Sequence, residues 1–250
     1  MAAREVRVRP LAGFAEIGEG APLGTEIAAT AEPGDGEIVV VSQKAVSKSE
    51  GRLRRLGDVN PGPRARELAA MTGKEPALVE LVLSESRSVI RAAPGVLITE
   101  TNGGWICANA GIDSSNLPEE GLVALLPEDP DASARRIRGA IRASIGTAPA
   151  VVVADSFGRP WRLGQTDIAV GCAGILALDD WRGRRDQQGR ELAATAIAVI
   201  DELASAADLA RDKDSGVPGA VVSGLGHLVT AGDGPGARVL QRPPGEDLFR

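Results

Sequence analysis

Glu37-Ile-Val-Val-Val-Ser42 follows directly on the turn residues Pro33-Gly-Asp-Gly36. A run of β-branched residues behind a Pro/Gly turn, with no polar alternation, reads as a buried strand. A second run of this kind, Ala150-Val-Val-Val-Ala154, lies far downstream and ends at Asp155. Around these two runs, residues 4–10, 122–126 and 217–223 read as further strands. Residues 96–99 and 105–108 flank Asn102-Gly-Gly104 as a hairpin. Residues 64–72 and 77–92 read as helices, the second with Leu78, Leu81, Val82, Val89 and Ile90 in helical spacing interrupted at Glu85 and Ser86. Residues 131–145 read as a helix capped by Asp129 or Asp131, and 190–210 as the longest helix of the chain. Residues 168–178 form a glycine-punctuated apolar stretch, and 232–236 a flexible turn. No linker divides the sequence. The expectation is an α+β fold in a single domain of residues 1–250, with room for two lobes.

The chain has 250 residues and a net charge of −6, from 28 Lys+Arg against 34 Asp+Glu. That balance argues against a non-specific nucleic-acid binder, which is normally basic. No apolar run approaches the roughly 20 residues a membrane span requires. The first residues also lack the apolar stretch of a signal peptide. A cytoplasmic protein, with no nucleic-acid or membrane partner, is expected.

The rare residues exclude more. His227 is the one histidine, so no multi-histidine zinc site or paired-histidine acid–base chemistry is available. Cys107 and Cys172 are isolated thiols without C-x-x-C spacing. Metal chemistry would have to rest mainly on oxygen ligands, which points to magnesium or manganese. The P-loop and Rossmann fingerprints are both absent.

Several segments could carry chemistry. Asn109-Ala-Gly-Ile-Asp113-Ser-Ser-Asn116 is the densest polar cluster, and it fits either an Asx-rich turn or a loop offering Asp113 to a metal and Asn116 to a ligand. Asp155, followed by the hydroxyl of Ser156, has the order of a magnesium–nucleotide site, or it starts a turn. Arg159 and Arg162, stiffened by Pro160, could grip phosphate or carboxylate bidentately. Gln43, Lys44 and Lys48 come after the first buried strand, either neutralising phosphate or lining a solvated loop. Arg182, Arg184 and Arg185 form a second basic cluster, open to a polyanion or to local ion pairs.

Taken together and in order, these segments resemble the coenzyme F420:L-glutamate ligase family, also called F420-0:gamma-glutamyl ligase. The matching stretches are Val39-Val-Val-Ser-Gln-Lys-Ala-Val-Ser-Lys-Ser-Glu-Gly-Arg52, Cys107-Ala-Asn-Ala-Gly-Ile-Asp-Ser-Ser-Asn116 and Leu126-Pro-Glu-Asp-Pro-Asp-Ala-Ser133. They continue with Asp155-Ser-Phe-Gly-Arg-Pro-Trp-Arg162, Gly164-Gln-Thr-Asp167, Arg182-Gly-Arg-Arg-Asp186 and Gly189-Arg-Glu-Leu192. The resemblance implies the family's own mixed sheet-and-helix fold and a homodimer. It implies GTP-dependent addition of L-glutamate to the deazaflavin precursor F420-0 through an acyl phosphate, then of further gamma-linked glutamates. Magnesium or manganese is implied as cofactor, with potassium stimulating some members.

Residue by residue, the resemblance puts the metal on Asp113, Asp155 and Ser156, with Asp212 as a further ligand from the variable 211–217 segment. It puts guanine-nucleotide contacts on Gly13, Phe14, Ala15, Glu16 and Ile17, on Gln43, Lys44 and Lys48, and on Asn116. Asp113, Asp155, Arg159 and Arg162 are the residues expected to carry catalysis, with the arginines and the 182–185 cluster lining the path of the anionic substrates.

The chain departs from the family at Gln187 and Gln188, where an apolar–aromatic pair is usual. It also ends at Arg250, where some relatives continue into a reductase-like domain, so it could be the N-terminal part of a longer protein. Two other readings stand beside ligation: a deazaflavin or nucleotide binder that does not ligate, and a metal-dependent phosphotransferase acting on a different carboxylate.

Overall fold

Both β-branched runs are strands, and they lie side by side. In the computed structural model, which describes residues 4–247, the central sheet has five strands. They are β1 (Arg7–Pro10), β2 (Ile38–Ser42), β8 (Ala150–Arg159), β9 (Arg162–Ala173) and β12 (Gly219–Ser223), and their order across the sheet is β1-β12-β2-β8-β9. Strands β2 and β8 pair in parallel, Ile38 opposite Ala150 and Ser42 opposite Ala154, and the other pairings are antiparallel. Ile38, Val39, Val40 and Val41 are fully buried, as are Val151, Val152 and Val153. The helices α1 (Leu23–Ala31), α5 (Pro130–Ile145) and α6 (Val199–Asp208) pack with this sheet into the larger core. The α+β expectation holds. The stop at 248–250, where a further domain would begin, lies outside the described residues.

A smaller core is built from the chain between β2 and β8. It gathers α3 (Pro63–Thr72) and α4 (Pro76–Ser84) against the sheet of β4 (Ser86–Ala93), β5 (Val96–Thr101) and β6 (Ile106–Ala108). The pair β3 (Leu53–Arg55) and β7 (Leu122–Ala124) adds Val123 to it. Leu68, Val79, Val82, Leu97 and Leu125 are its buried centre.

Three elements differ from the expectations. The helix expected over 77–92 stops at Ser84, and Ser86–Ala93 is a strand paired with β5. Pro94-Gly95, with Gly95 at φ +77°, makes the turn between them, a hairpin signal that outweighs the two apolar residues in helical register. The helix expected over 190–210 is confined to α6, and the 16-residue α5, capped by Asp129, is the longest. Upstream of α6 the chain turns at Asp186, whose carboxylate accepts from the Gln188 and Arg190 amides. The short strands β10 (Asp179–Asp180) and β11 (Ala196–Ile197) flank that excursion. An Asx-turn supplies the backbone partners a helix would have supplied. Finally, β8 does not end at Asp155 but runs on to Arg159, because β9 pairs with it along its whole length.

The close seat of α5 on the sheet depends on Gly171. A Cβ there would lie 2.3 Å from the Pro130 carbonyl carbon. Beside it the Asp131 carboxylate accepts from the amides of Cys172 at 2.8 Å and Ala237 at 2.7 Å. Gly171→Ala is therefore expected to cost about 3 kcal/mol, since backbone cannot yield as a flexible side chain can. Urea unfolding measures it, and a midpoint equal to wild type would contradict this packing.

Candidate functional site

One end of the β2–β8 pair opens into a cavity of about 1000 Å³. Its wall takes side chains from both cores. The parallel register that sets Ser42 beside Ala154 also brings the continuations of the two strands together at this wall. After β2 the chain turns straight into α2 (Gln43–Ser49), with the Ser42 hydroxyl accepting from the Ala45 amide as N-cap. This helix places Lys44 and Lys48 one turn apart, on a single face. Lys44 reaches Asp113, its Nζ 2.8 Å from Oδ2, and donates to the Ser115 carbonyl at 2.7 Å. Lys48 pairs with Glu16 at 2.6 Å.

Asp113 is held on a strained loop. Asn109 and Ala110 have φ of 52° and 53°, left-handed values that side-chain-bearing residues adopt at a cost. Beyond them, mutual backbone hydrogen bonds between Asp113 and Ala124 fix the loop against β7. The Ser115 amide donates to the Asp113 carboxylate at 2.7 Å. Burial works against ionisation of this group, but Lys44 and Ser115 outweigh it and hold the carboxyl below its ordinary value.

Asp155 has the opposite balance. Burial pushes its carboxyl up to about 7, and the negative charges of Asp113 and Asp167 add to the rise, against hydrogen bonds from the Ser156 backbone and Gln43. Acids gathered on one wall are the environment a divalent cation relieves, and the oxygens of Asp113, Asp155 and Ser156 suit magnesium or manganese. No group of three His, Cys, Asp or Glu side chains arranged to hold a metal occurs among the described residues. The donor set thus fits a cation held by one or two carboxylates and completed by substrate phosphates, the usual habit of magnesium.

The raised Asp155 value has a consequence for the metal-free protein. A carboxyl whose folded pKa is about 7 against an ordinary 3.8 favours the fold when neutral, so its stabilisation is present below about pH 4 and is lost as pH rises through 7. In chelator, the wild-type melting temperature should fall relative to that of Asp155→Asn over this window. Manganese should close the gap, and parallel curves in chelator would refute the assignment.

The cavity also collects Ala15, Glu16, Ile17, Gln43, Asn116, Ser156 and Asp212 from the expected set. Gly13 and Phe14 are not on its wall, and Phe14 packs against the larger core instead. Asp212 reaches the wall but belongs to no three-acid cluster. Arg159 and Arg162 are not brought in either. They face each other across the tip of the β8–β9 hairpin, both exposed, and Arg159 donates to the Leu163 carbonyl at 3.1 Å. The 182–185 cluster is likewise spent locally, Arg182 on Asp180 at 2.6 Å and Arg184 on Asp179 at 3.2 Å. Gln187 and Gln188 occupy an exposed turn away from the cavity wall. Arg159 and Arg162 thus stand off this chain's own cavity wall, because an extended hairpin carries them away from Asp155.

Other polar residues of the wall were not anticipated. Asp167, on β9 opposite Ser156, is 1% exposed and accepts from the Ser156 hydroxyl at 2.5 Å and from Arg211 at 2.6 Å. Lys213 donates to the Ser156 hydroxyl and to Asp208, each at 2.9 Å. The Asn116 amide donates to the Lys213 carbonyl at 2.7 Å, tying the 211–217 segment to the Asp113 loop. Asp167 stood at the end of one matching stretch, and that was its signal. Cys107 also lines the cavity, but burial holds its thiol at about 12, too high for a nucleophile. His227 is exposed and bonded to Arg4, away from this wall.

Known proteins share this sequence over most of its length. Residues 13–224 match the profile of the family described as F420-0:Gamma-glutamyl ligase. The chain is 42% identical over 247 residues to the Coenzyme F420:L-glutamate ligase of Methanopyrus kandleri, covering 98% of each chain. It is 43% identical over 219 residues to that of Methanothermobacter thermautotrophicus, covering 86% of this chain and 85% of the relative. With the Haloarcula marismortui protein of the same name it shares 42% identity over 245 residues, covering 95% and 93%.

Proposed function

The chain belongs to the F420-0:gamma-glutamyl ligase family, and from that premise we propose that it joins L-glutamate to F420-0 in coenzyme F420 biosynthesis. The finer reading is a GTP-dependent, GDP-forming ligation in the cytoplasm. It uses magnesium or manganese, with potassium as a stimulant, and adds further gamma-linked glutamates. The observation that carries it is the single cavity where lysines of α2, carboxylates of both cores and the 211–217 segment converge. The exposed hairpin tip, with Trp161 at 88% and Leu163 at 98%, supports a homodimer, since large apolar surface of this kind is usually covered.

A carboxylate is a poor acylating agent, so the chemistry needs activation. A carboxylate oxygen of F420-0 attacks the γ-phosphorus, the bond to the β-phosphate oxygen breaks, and GDP leaves. The glutamate nitrogen then attacks the acyl carbon of the resulting acyl phosphate and inorganic phosphate leaves, the nitrogen losing its proton. Lys44 and Lys48 offset phosphate charge, and a cavity with walls on both cores holds the reactants together. A divalent cation, when held by Asp113, Asp155 and Ser156, supplies further charge neutralisation.

Incubation with GTP, manganese, glutamate and F420-0, followed by mass spectrometry, tests the reading. Glutamylated products and GDP are expected, with turnover by ATP far lower. Oxygen-18 in the F420-0 carboxylate should appear in the released phosphate. Binding without glutamylation would favour the non-ligating reading, and phosphorylation of another carboxylate would favour the phosphotransferase.

A further inference from the structure

Asp167 is the most deeply buried acid on the cavity wall, and its two oxygens serve two different elements. Oδ1 takes the proton of the Ser156 hydroxyl at 2.5 Å. Oδ2 takes the guanidinium of Arg211 at 2.6 Å, and that side chain is only 12% exposed. Asp167 is therefore fastened to β8 on one side and to the start of the 211–217 segment on the other. Lys213 closes the circuit, 2.9 Å from the same hydroxyl and 3.6 Å from Asp167.

The hydrogen-bond inventory of Ser156 gives this arrangement meaning. A hydroxyl has one proton and two lone pairs. The proton goes to Asp167 and one lone pair receives Lys213, which leaves one lone pair for a cation. Without Asp167 the hydroxyl could turn, and the proton could take the place of that lone pair. A carboxylate accepting from a metal-bound group also raises the basicity of the group it holds.

We infer that Asp167 is a positioning residue, one buried carboxylate that sets the Ser156 hydroxyl for a divalent cation and docks the 211–217 segment onto the same strand pair. This rests on the metal-dependent reading above, and it adds a single residue through which strand and segment are coupled. A merely structural ion pair would hold the segment without affecting the cation through Ser156.

The test uses Mn²⁺ binding to the full chain by electron paramagnetic resonance, with a saturating non-hydrolysed GTP analogue to complete the site, alongside hydrogen exchange of the 211–217 amides without nucleotide. Asp167→Asn keeps the shape but removes the charge. It should weaken Mn²⁺ binding by about 10- to 100-fold. Ser156→Ala should weaken it comparably, and the double variant should bind no worse than the weaker single one. Exchange in 211–217 should quicken about tenfold in Asp167→Asn, a rise that marks local opening, and far less in Ser156→Ala, which costs the segment only the bond from the exposed Lys213 and keeps the Asp167–Arg211 pair. If Asp167→Asn does not fold, the Mn²⁺ comparison is made in an Arg211→Gln background, where no buried guanidinium is left unpaired, and Arg211→Gln alone then supplies the exchange readout.

Additive losses in the double variant, or undiminished Mn²⁺ binding in Asp167→Asn, would overturn the inference alone. A wild-type protein that binds no Mn²⁺ would overturn the metal reading beneath it.

Discussion

Asp155→Asn should reduce glutamate ligation by about a thousandfold or more while leaving the far-ultraviolet dichroism unchanged and, with manganese present, the unfolding midpoint near wild type. The amide occupies the same volume and keeps one acceptor oxygen, but it carries no charge for a cation to bind. Its neighbours explain why the fold survives: burial and the charges of Asp113 and Asp167 already penalise the ionised acid, so a neutral group at this position is tolerated. Most mutations that abolish activity through misfolding lower stability, whereas this one should not. Ligation within tenfold of wild type would show that Asp155 holds nothing the reaction needs.

Lys44→Ala should raise the Kd for GTP by about 10- to 100-fold, the scale of losing a hydrogen bond to a charged group. The ammonium sits 2.8 Å from Asp113 and donates to Ser115, so its loss also leaves the Asp113 carboxylate without a fixed counterion. Lys48→Ala should act in the same direction more weakly, because its partner Glu16 is largely exposed and screened by water. Isothermal calorimetry with a non-hydrolysed GTP analogue separates these effects from catalysis. Equal affinity in wild type and Lys44→Ala would place the phosphates elsewhere in the cavity.

Legibility in the sequence was uneven, for physical reasons. The strands over 38–42 and 150–154 could be read because a buried strand must be apolar throughout, and Asp129 was available as the cap of α5. That β2 and β8 are neighbours could not be read, since strand pairing is decided by packing between residues far apart in the chain. Lys44 and Lys48 were found as charges but not as one face of a helix. The helix has only seven residues, fewer than periodicity can register.

Arg159 and Arg162 are the reverse case, near Asp155 in sequence and off its cavity wall in the fold. Closeness in sequence to Asp155 suggested a shared site, but a strand advances about 3.3 Å per residue, so four residues carry the chain about 13 Å away. Asp167 was overlooked for the same reason. It lies beyond the hairpin turn in sequence, yet the ladder folds it back opposite Ser156.

Strand β2 occupies the middle of the sheet, and both of its neighbours, β8 and β12, come later in the chain. A ribosome releases the Ile-Val-Val-Val segment more than a hundred residues before β8, on the order of ten seconds earlier at ordinary elongation rates. For that interval an uncharged, strand-forming segment has no native partner within reach, the circumstance in which nascent chains associate with one another. The burden of making this protein thus falls during translation, and its yield should depend on chaperone supply and elongation rate more than on the stability of the finished sheet.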